Sequence, residues 1–204
     1  MRVAVLSTDE LYNELAGQIN TVEWLKANDW QQFIAIKDAD VYFNLSENAG
    51  AENYLYFTAA VFINAVTTTL KEMNAPGNVC GVLAWPGFLQ RNTWEISGDV
   101  SKEHIEILNK LNKTYIQVAD EPGMVSGKII SMVINEAYFA LEDEVSTKEE
   151  IDIAMKLGTN YPYGPFEWSK KIGLNNIYTL LQKLSTTDKR YTPSSLLIKE
   201  AAAL

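Results

Sequence analysis

Apolar and polar positions alternate along the first 119 residues in a rhythm that predicts short strands and helices in turn. Val3-Ala4-Val5-Leu6 is the centre of a strand over Arg2–Ser7, and Asp9–Gln18 reads as a helix capped near Thr8. Thr21–Leu25 predicts a strand, and the run Asp40–Leu45 resembles a strand buried on both faces of a parallel sheet. From about Ala51 to Met73 the pattern predicts a buried helix; its apolar stretch, Tyr54–Leu70, is interrupted by Thr58, Asn64 and Thr67–Thr69. Asn78–Trp85 and Trp94–Ser97 are strand-like. Val100–Leu111 is a helix with Ile105, Leu108 and Leu111 on one face, and Thr114–Val118 returns to strand. Such alternation argues for an α/β sheet of mainly parallel strands. Asp120-Glu121-Pro122-Gly123 then sets turn chemistry before an almost wholly apolar helix, which places a domain boundary between 1–119 and 120–204.

The second half reads as helical. Ile129–Leu141 carries apolar residues around nearly its whole circumference, so it must be covered on all sides, either by a partner chain or between its own domain and the sheet. Ser146 and Glu149 have capping-box spacing. Ile151, Ala154, Met155 and Leu157 form an apolar face, and Gly158 stands where a left-handed C-terminal residue is wanted. Pro162 and Pro165 stiffen the next turn, with Gly164 between them free to take unusual dihedrals. Pro165 suits the first position of a new helix, which Phe166 and Trp168 drive into a core. By patterning alone this is a helix–turn–helix corner of any α-helical domain. The tail Pro193–Leu204 is a further amphipathic piece that could dock across an interface.

Charge and composition narrow the function. The net charge of −9 divides as 8 basic against 14 acidic residues over 1–119 and 9 against 12 over 120–204, so neither half offers a basic patch for nucleic acid or an anionic membrane. Cys80 is the sole cysteine, which excludes an intrachain disulfide and a zinc site of paired cysteines. No signal-peptide pattern develops in MRVAVLSTDE, and the expected location is cytoplasmic.

The letters go beyond patterning. Asp152-x-Ala154-Met155-Lys156-Leu157-Gly158, followed by Tyr161-Pro162-x-Gly164-Pro165-Phe166-Glu167, resembles the C-terminal domain of 3-hydroxyacyl-CoA dehydrogenases. Glu121-Pro122-Gly123-Met124-Val125 resembles the start of that domain's first long helix, and Asn135-Glu136-Ala137 lies within it. The resemblance covers roughly residues 119–184. It implies a Rossmann-like, mainly parallel α/β domain followed by an all-α domain that pairs as a homodimer, with NAD as cofactor, an acyl-CoA ligand and no metal.

The same resemblance sets residue-level requirements. A dinucleotide-binding turn needs glycines after the first strand, whereas Ser7-Thr8-Asp9-Glu10-Leu11-Tyr12 follows here and the first glycine is Gly17. The family's reaction needs a histidine base held by a glutamate twelve residues on. Without a gap, Leu83 falls in the histidine position and Glu95 in the glutamate position. His104, the one histidine, reads as a solvated residue near the start of a helix. In the family's asparagine position stands Gly127, flanked by Ser126, which can donate a hydrogen bond, and Lys128, which keeps the usual positive charge. Val66-Thr67-Thr68-Thr69-Leu70 echoes the family's substrate loop and puts Thr68 at its serine. Three readings follow: a dehydrogenase with a rebuilt site, a non-catalytic binder of acyl-CoA or nucleotide, and a dimerising structural partner.

Overall fold

The computed structural model describes residues 1–17, 19 and 21–203, and the predicted helix end at Gln18 and tail end at Leu204 lie outside the described residues. The chain divides into two compact units, Met1–Met124 and Val125–Leu204.

The first unit is Rossmann-like. Strands β1 (Arg2–Leu6), β2 (Glu23–Ala27), β3 (Val41–Asn44), β4 (Ala60–Asn64), β5 (Val79–Val82), β6 (Thr93–Ser97) and β7 (Thr114–Gln117) form one sheet in the order β2-β1-β3-β4-β5-β6-β7. All pairings are parallel except β5 with β6. Helices α1 (Asp9–Ala16) and α3 (Lys102–Lys110) cover one face: Leu11, Leu15, Ile107 and Leu108 pack on Val3, Val5, Phe43, Phe62 and Ile96. The other face is buried too, with Ala4, Val61 and Ile63 fully covered. There α2 (Trp30–Ala35) and the loop before β4 supply Phe33 and Phe57, whose rings lie 5.6 and 4.5 Å from Tyr42. Burial on both faces is why these strands read as unbroken apolar runs.

Two expectations need correction here, and the structure adds one helix that was not expected. The helix expected from Ala51 to Met73 does not form. Its apolar centre, Val61-Phe62-Ile63, is strand β4, held between β3 and β5. Periodicity cannot separate a fully buried strand from a buried helix, and the pairing on both sides decides for strand. The helix α2 was not signalled by periodicity; Asp29 caps it through a 2.8 Å bond from Gln32 N. His104 is fully buried rather than solvated. Its Nδ1 lies 2.8 Å from the Ser101 hydroxyl and its Nε2 3.1 Å from the Asn78 carbonyl, while its ring stands edge-on to Phe62. A histidine at the third position of a capped helix replaces the usual Glu or Gln of a capping box.

The second unit packs α6 (Pro165–Ile172), α7 (Leu174–Ser185) and α8 (Ser195–Ala201) around the long α4 (Ser126–Glu142), with α5 (Lys148–Thr159) against α6. Inside this core Asn135 donates to the Thr192 carbonyl and accepts from Ser194 N, both at 2.9 Å. The capping box that opens α5 is shifted one residue, to Thr147 and Glu150, and Ser146 instead donates to Glu150 at 2.6 Å. Gly158 stays within the helix, and Asn160 supplies the left-handed cap at φ 56°. Of the expected apolar face, Ala154 and Leu157 are exposed and Ile151 and Met155 half-buried. The buried side chain of α5 is Asp152, which accepts from Phe166 N at 2.8 Å and Glu167 N at 3.1 Å at the start of α6. Gly164 is extended (φ −71°), so its role is space: a side chain there would collide with the Asp152 carboxyl. Phe166 and Trp168 are buried, and the tail docks on its own unit through the fully buried Leu197.

Burial pushes the His104 imidazole below its ordinary pKa of 6.5, against weaker raising contributions from the Asn78 carbonyl and Glu103. A histidine that is harder to protonate when folded stabilises the fold above the unfolded pKa, and that stability is lost as pH falls through the folded value. From pH 7 to 5, urea-unfolding stability is expected to fall with a slope of at most about 1.4 kcal/mol per pH unit from this group. His104→Asn should be less stable at pH 7 and show a flatter dependence over the same range.

Candidate functional site

In an open parallel sheet, ligands bind beyond the C-terminal ends of the strands, where the strand order reverses. In this sheet that point lies between β1 and β3. Four connections meet along the edge: Ser7-Thr8 after β1, Leu45-Ser46 after β3, Ala65–Leu70 after β4 and Leu83–Trp85 after β5.

The β1 connection is two residues long and fixes itself. Thr8 is extended, and its hydroxyl accepts from Leu11 N at 3.4 Å, satisfying a free donor at the start of α1. Asp9 pairs with Lys26 of β2, and the ammonium holds its carboxyl below the usual range. The α1 N-terminus is thus flanked by the ionised Asp9 and by Glu10, with no glycine to bring backbone close to a ligand. A dinucleotide pyrophosphate does not fit such a turn. About twenty residues on, where a ribose-binding acid is sought, Asp29 has both carboxylate oxygens engaged by Gln32.

The edge between β3 and β4 is organised by Asn44, a fully buried residue the sequence reading did not single out. Its amide donates to the Tyr54 hydroxyl at 2.8 Å, and its carbonyl accepts from Ser46 N and Oγ at 3.2 and 2.7 Å. The Tyr54 hydroxyl in turn donates a hydrogen bond to the Ala49 carbonyl at 2.8 Å. The one available signal was a lone Asn closing an apolar strand.

Thr68 lies on the loop after β4, in contact with Gly50. Its hydroxyl donates to Glu72 at 3.2 Å, and Thr69 with Glu72 closes a capping box over the turn. Asp120 adds a second cap, accepting from Leu70 N and Lys71 N at 2.9 and 3.0 Å. The loop echoed from the family is therefore a turn consumed by its own hydrogen bonds.

Leu83 and Glu95 lie at the paired ends of β5 and β6. Gly81 pairs with Ser97 and Val82 with Ile96, Leu83 directly follows β5, and Glu95 precedes Ile96 within β6. Both are buried. Leucine moves no proton. His104 is bonded to Asn78, just ahead of β5, so it lies at the opposite edge of the sheet. Ser126 and Lys128 lie half-buried in the first turn of α4, in the second unit. Cys80 is no substitute nucleophile, since burial pushes its thiol up to about 12. Among the described residues no group of His, Cys, Asp and Glu could hold a metal, and no helix is long and apolar enough to cross a membrane.

Residues 123–203 match the 3-hydroxyacyl-CoA dehydrogenase C-terminal domain. The helical unit belongs to the 3-hydroxyacyl-CoA dehydrogenase family. The chain is 42% identical over 103 residues to the 3-hydroxyadipyl-CoA dehydrogenase of Escherichia coli K12 and 40% identical over 100 residues to a 3-hydroxybutyryl-CoA dehydrogenase of Clostridioides difficile. Those matches take in 50% and 48% of this chain but only 22% and 36% of the two relatives. The (S)-3-hydroxybutyryl-CoA dehydrogenase of Ralstonia eutropha shares the fold over 99% of this chain and 93% of its own, with a TM-score of 0.72 at 20% identity. The unit that matches this domain thus follows a Rossmann-like unit.

Replacing Asn44 with Ala removes three hydrogen bonds at a buried site and should cost about 2–3 kcal/mol. Limited proteolysis should then cut first within residues 46–57; loss of stability without new cleavage there would assign Asn44 a global role instead.

Proposed function

We propose that this protein is a 3-hydroxyacyl-CoA dehydrogenase relative, of short-chain acyl-CoA metabolism in the cytoplasm, that has lost NAD-dependent hydride transfer and works through its helical unit. The observation that carries this reading is the pair of connections at the sheet edge: Thr8 caps the α1 N-terminus beside the acidic Asp9, and Leu83 directly follows β5 where the family's base is expected. Loss of a general base alone costs about two to four orders of magnitude in rate, and the absent glycine turn removes the pyrophosphate cradle as well. Glu95 is then the remnant of a base-and-carboxylate pair. Of the expected substrate contacts, Ser126 and Lys128 are the positions that would survive, since the Thr68 hydroxyl is already given to Glu72.

The purified protein should show no oxidation of NADH with acetoacetyl-CoA above the uncatalysed rate, and no rise in melting temperature with NAD or NADH. Leu83→His alone should leave that rate unchanged, because the nucleotide site is missing independently. Turnover by either protein would overturn the reading. A melting-temperature rise with acetoacetyl-CoA alone would favour the non-catalytic acyl-CoA binder, since a ligand specific for the folded state stabilises it.

The second element is pairing. Val125, Ile129 and Phe139 stand exposed along one stripe of α4, and Ile153 and Leu157 are exposed on α5, with Leu157 at 83%. Large apolar groups repeated along two helices are an interaction surface rather than ordinary scatter. A second copy of the helical unit is the proposed cover. Sedimentation should give a dimer, and Ile129→Lys combined with Leu157→Glu, both at exposed positions, should shift it to monomer without loss of helix content. A wild-type monomer would remove self-pairing.

A further inference from the structure

The helical unit contains a cleft of about 490 Å³ that belongs to neither the sheet edge nor the exposed stripes. Its size lies in the range of small-molecule sites, about 300–1,000 Å³, and its accessible surface is mostly apolar although five of its ten lining residues, Lys148, Asp152, Glu167, Lys170 and Glu200, are charged. Phe166 and Leu174 are its buried apolar lining, with the ring of Tyr138. Lys148 bonds Glu200 through both carboxylate oxygens at 2.7 Å, and its ammonium lies 5.5 and 5.4 Å from the Tyr138 and Phe166 rings.

The charges of the cleft are nearly all matched. Glu200 is held by Lys148 and by the Tyr138 hydroxyl at 2.9 Å. Asp152 is committed to the α6 backbone, and Glu167 is paired with Lys156. Lys170 is exposed and, among the described residues, is the lining cation without an ion-pair partner. The acids are engaged and one ammonium is left, so the complementary ligand is an anion, and the apolar lining asks for an apolar body behind it.

We propose that this cleft binds a small amphiphilic carboxylate, with its chain or ring on Phe166, Tyr138 and Leu174 and its carboxylate at Lys170. None of these residues belongs to the positions discussed for hydride transfer, so the assignment stands or falls independently of that question.

Octanoate is the probe, with octanol as its neutral counterpart, titrated into the full chain and followed by NMR of the aromatic resonances. Octanoate should saturate at millimolar concentration or below, as expected for about ten heavy atoms at modest efficiency, and should perturb Phe166 and Tyr138. Lys170→Glu, at an exposed position, should weaken octanoate about three- to tenfold and leave octanol unchanged; an exposed charge contributes little, and reversal roughly doubles its effect. No saturation up to about 10 mM, well beyond that efficiency, would overturn the proposal. So would equal octanoate affinity in the variant, or shifts confined to the exposed α4 stripe.

Discussion

Beyond the last residue of each strand in a parallel sheet, backbone donors and acceptors point into a space that something must fill. In dinucleotide-binding folds a glycine-rich turn leaves part of that space to the ligand's phosphates. Here side chains of the chain itself fill it. Thr8 takes the start of α1, Asn44 ties the β3 end to Tyr54 and Ser46, and Asp120 caps the turn after β4. Glu14 reaches from α1 to Gly87 N at 2.6 Å, closing the loop after β5. Much of the edge is satisfied from within, with Ser7 Oγ and Asn64 Oδ1 left as buried atoms without a hydrogen-bond partner, and a turn already capped by its own residues has few donors left to offer a phosphate.

Two of the connections are built without a crossover helix. No α-helix links β3 to β4 or β4 to β5; a 3-10 turn at Ala49–Ala51 and the capped turn near Thr69 serve instead. Such connections hold only because buried side chains replace the hydrogen bonds that a crossover helix would satisfy internally. Tyr54 and Phe57 anchor the first of them against Trp30, at 5.6 and 6.1 Å.

What the sequence discloses depends on whether the signal is local. The strands at Val3–Leu6 and Val41–Asn44, the Thr8 cap and the Pro165 helix start rest on adjacent residues and are legible. Strand β4 is not, because Val61-Phe62-Ile63 is equally apolar for a helix, and only its neighbours β3 and β5 choose between them. His104 sits among charged residues in sequence, while its burial comes from Asn78 and Phe62, 26 and 42 positions away. For the candidate site, the absence of a glycine turn can be read from the residues that follow β1, and the places of Leu83 and Glu95 follow from the strand-like runs around them. The roles of Asn44 and Asp120 cannot, because their partners are set by loops whose paths the sequence does not show.

The packing of the helical unit explains why its motif is so readable. Asp152 of the first motif half caps the helix that opens with Pro165-Phe166-Glu167 of the second. Gly164 must lack a side chain for that carboxylate to approach, and Glu167 returns a bond to Gly164 N at 2.9 Å. Three letters in two separated stretches, Asp152, Gly164 and Glu167, thus describe one lock, in which changing any member leaves a buried carboxylate or a helix start without its partner. That penalty, about 1–3 kcal/mol per orphaned group, is incurred by the fold whether or not any substrate is turned over. A base at position 83 carries no such structural obligation: leucine packs there at 4% exposure. The packing of this chain therefore constrains its helical signature far more tightly than its catalytic positions, and the signature reports architecture independently of chemistry.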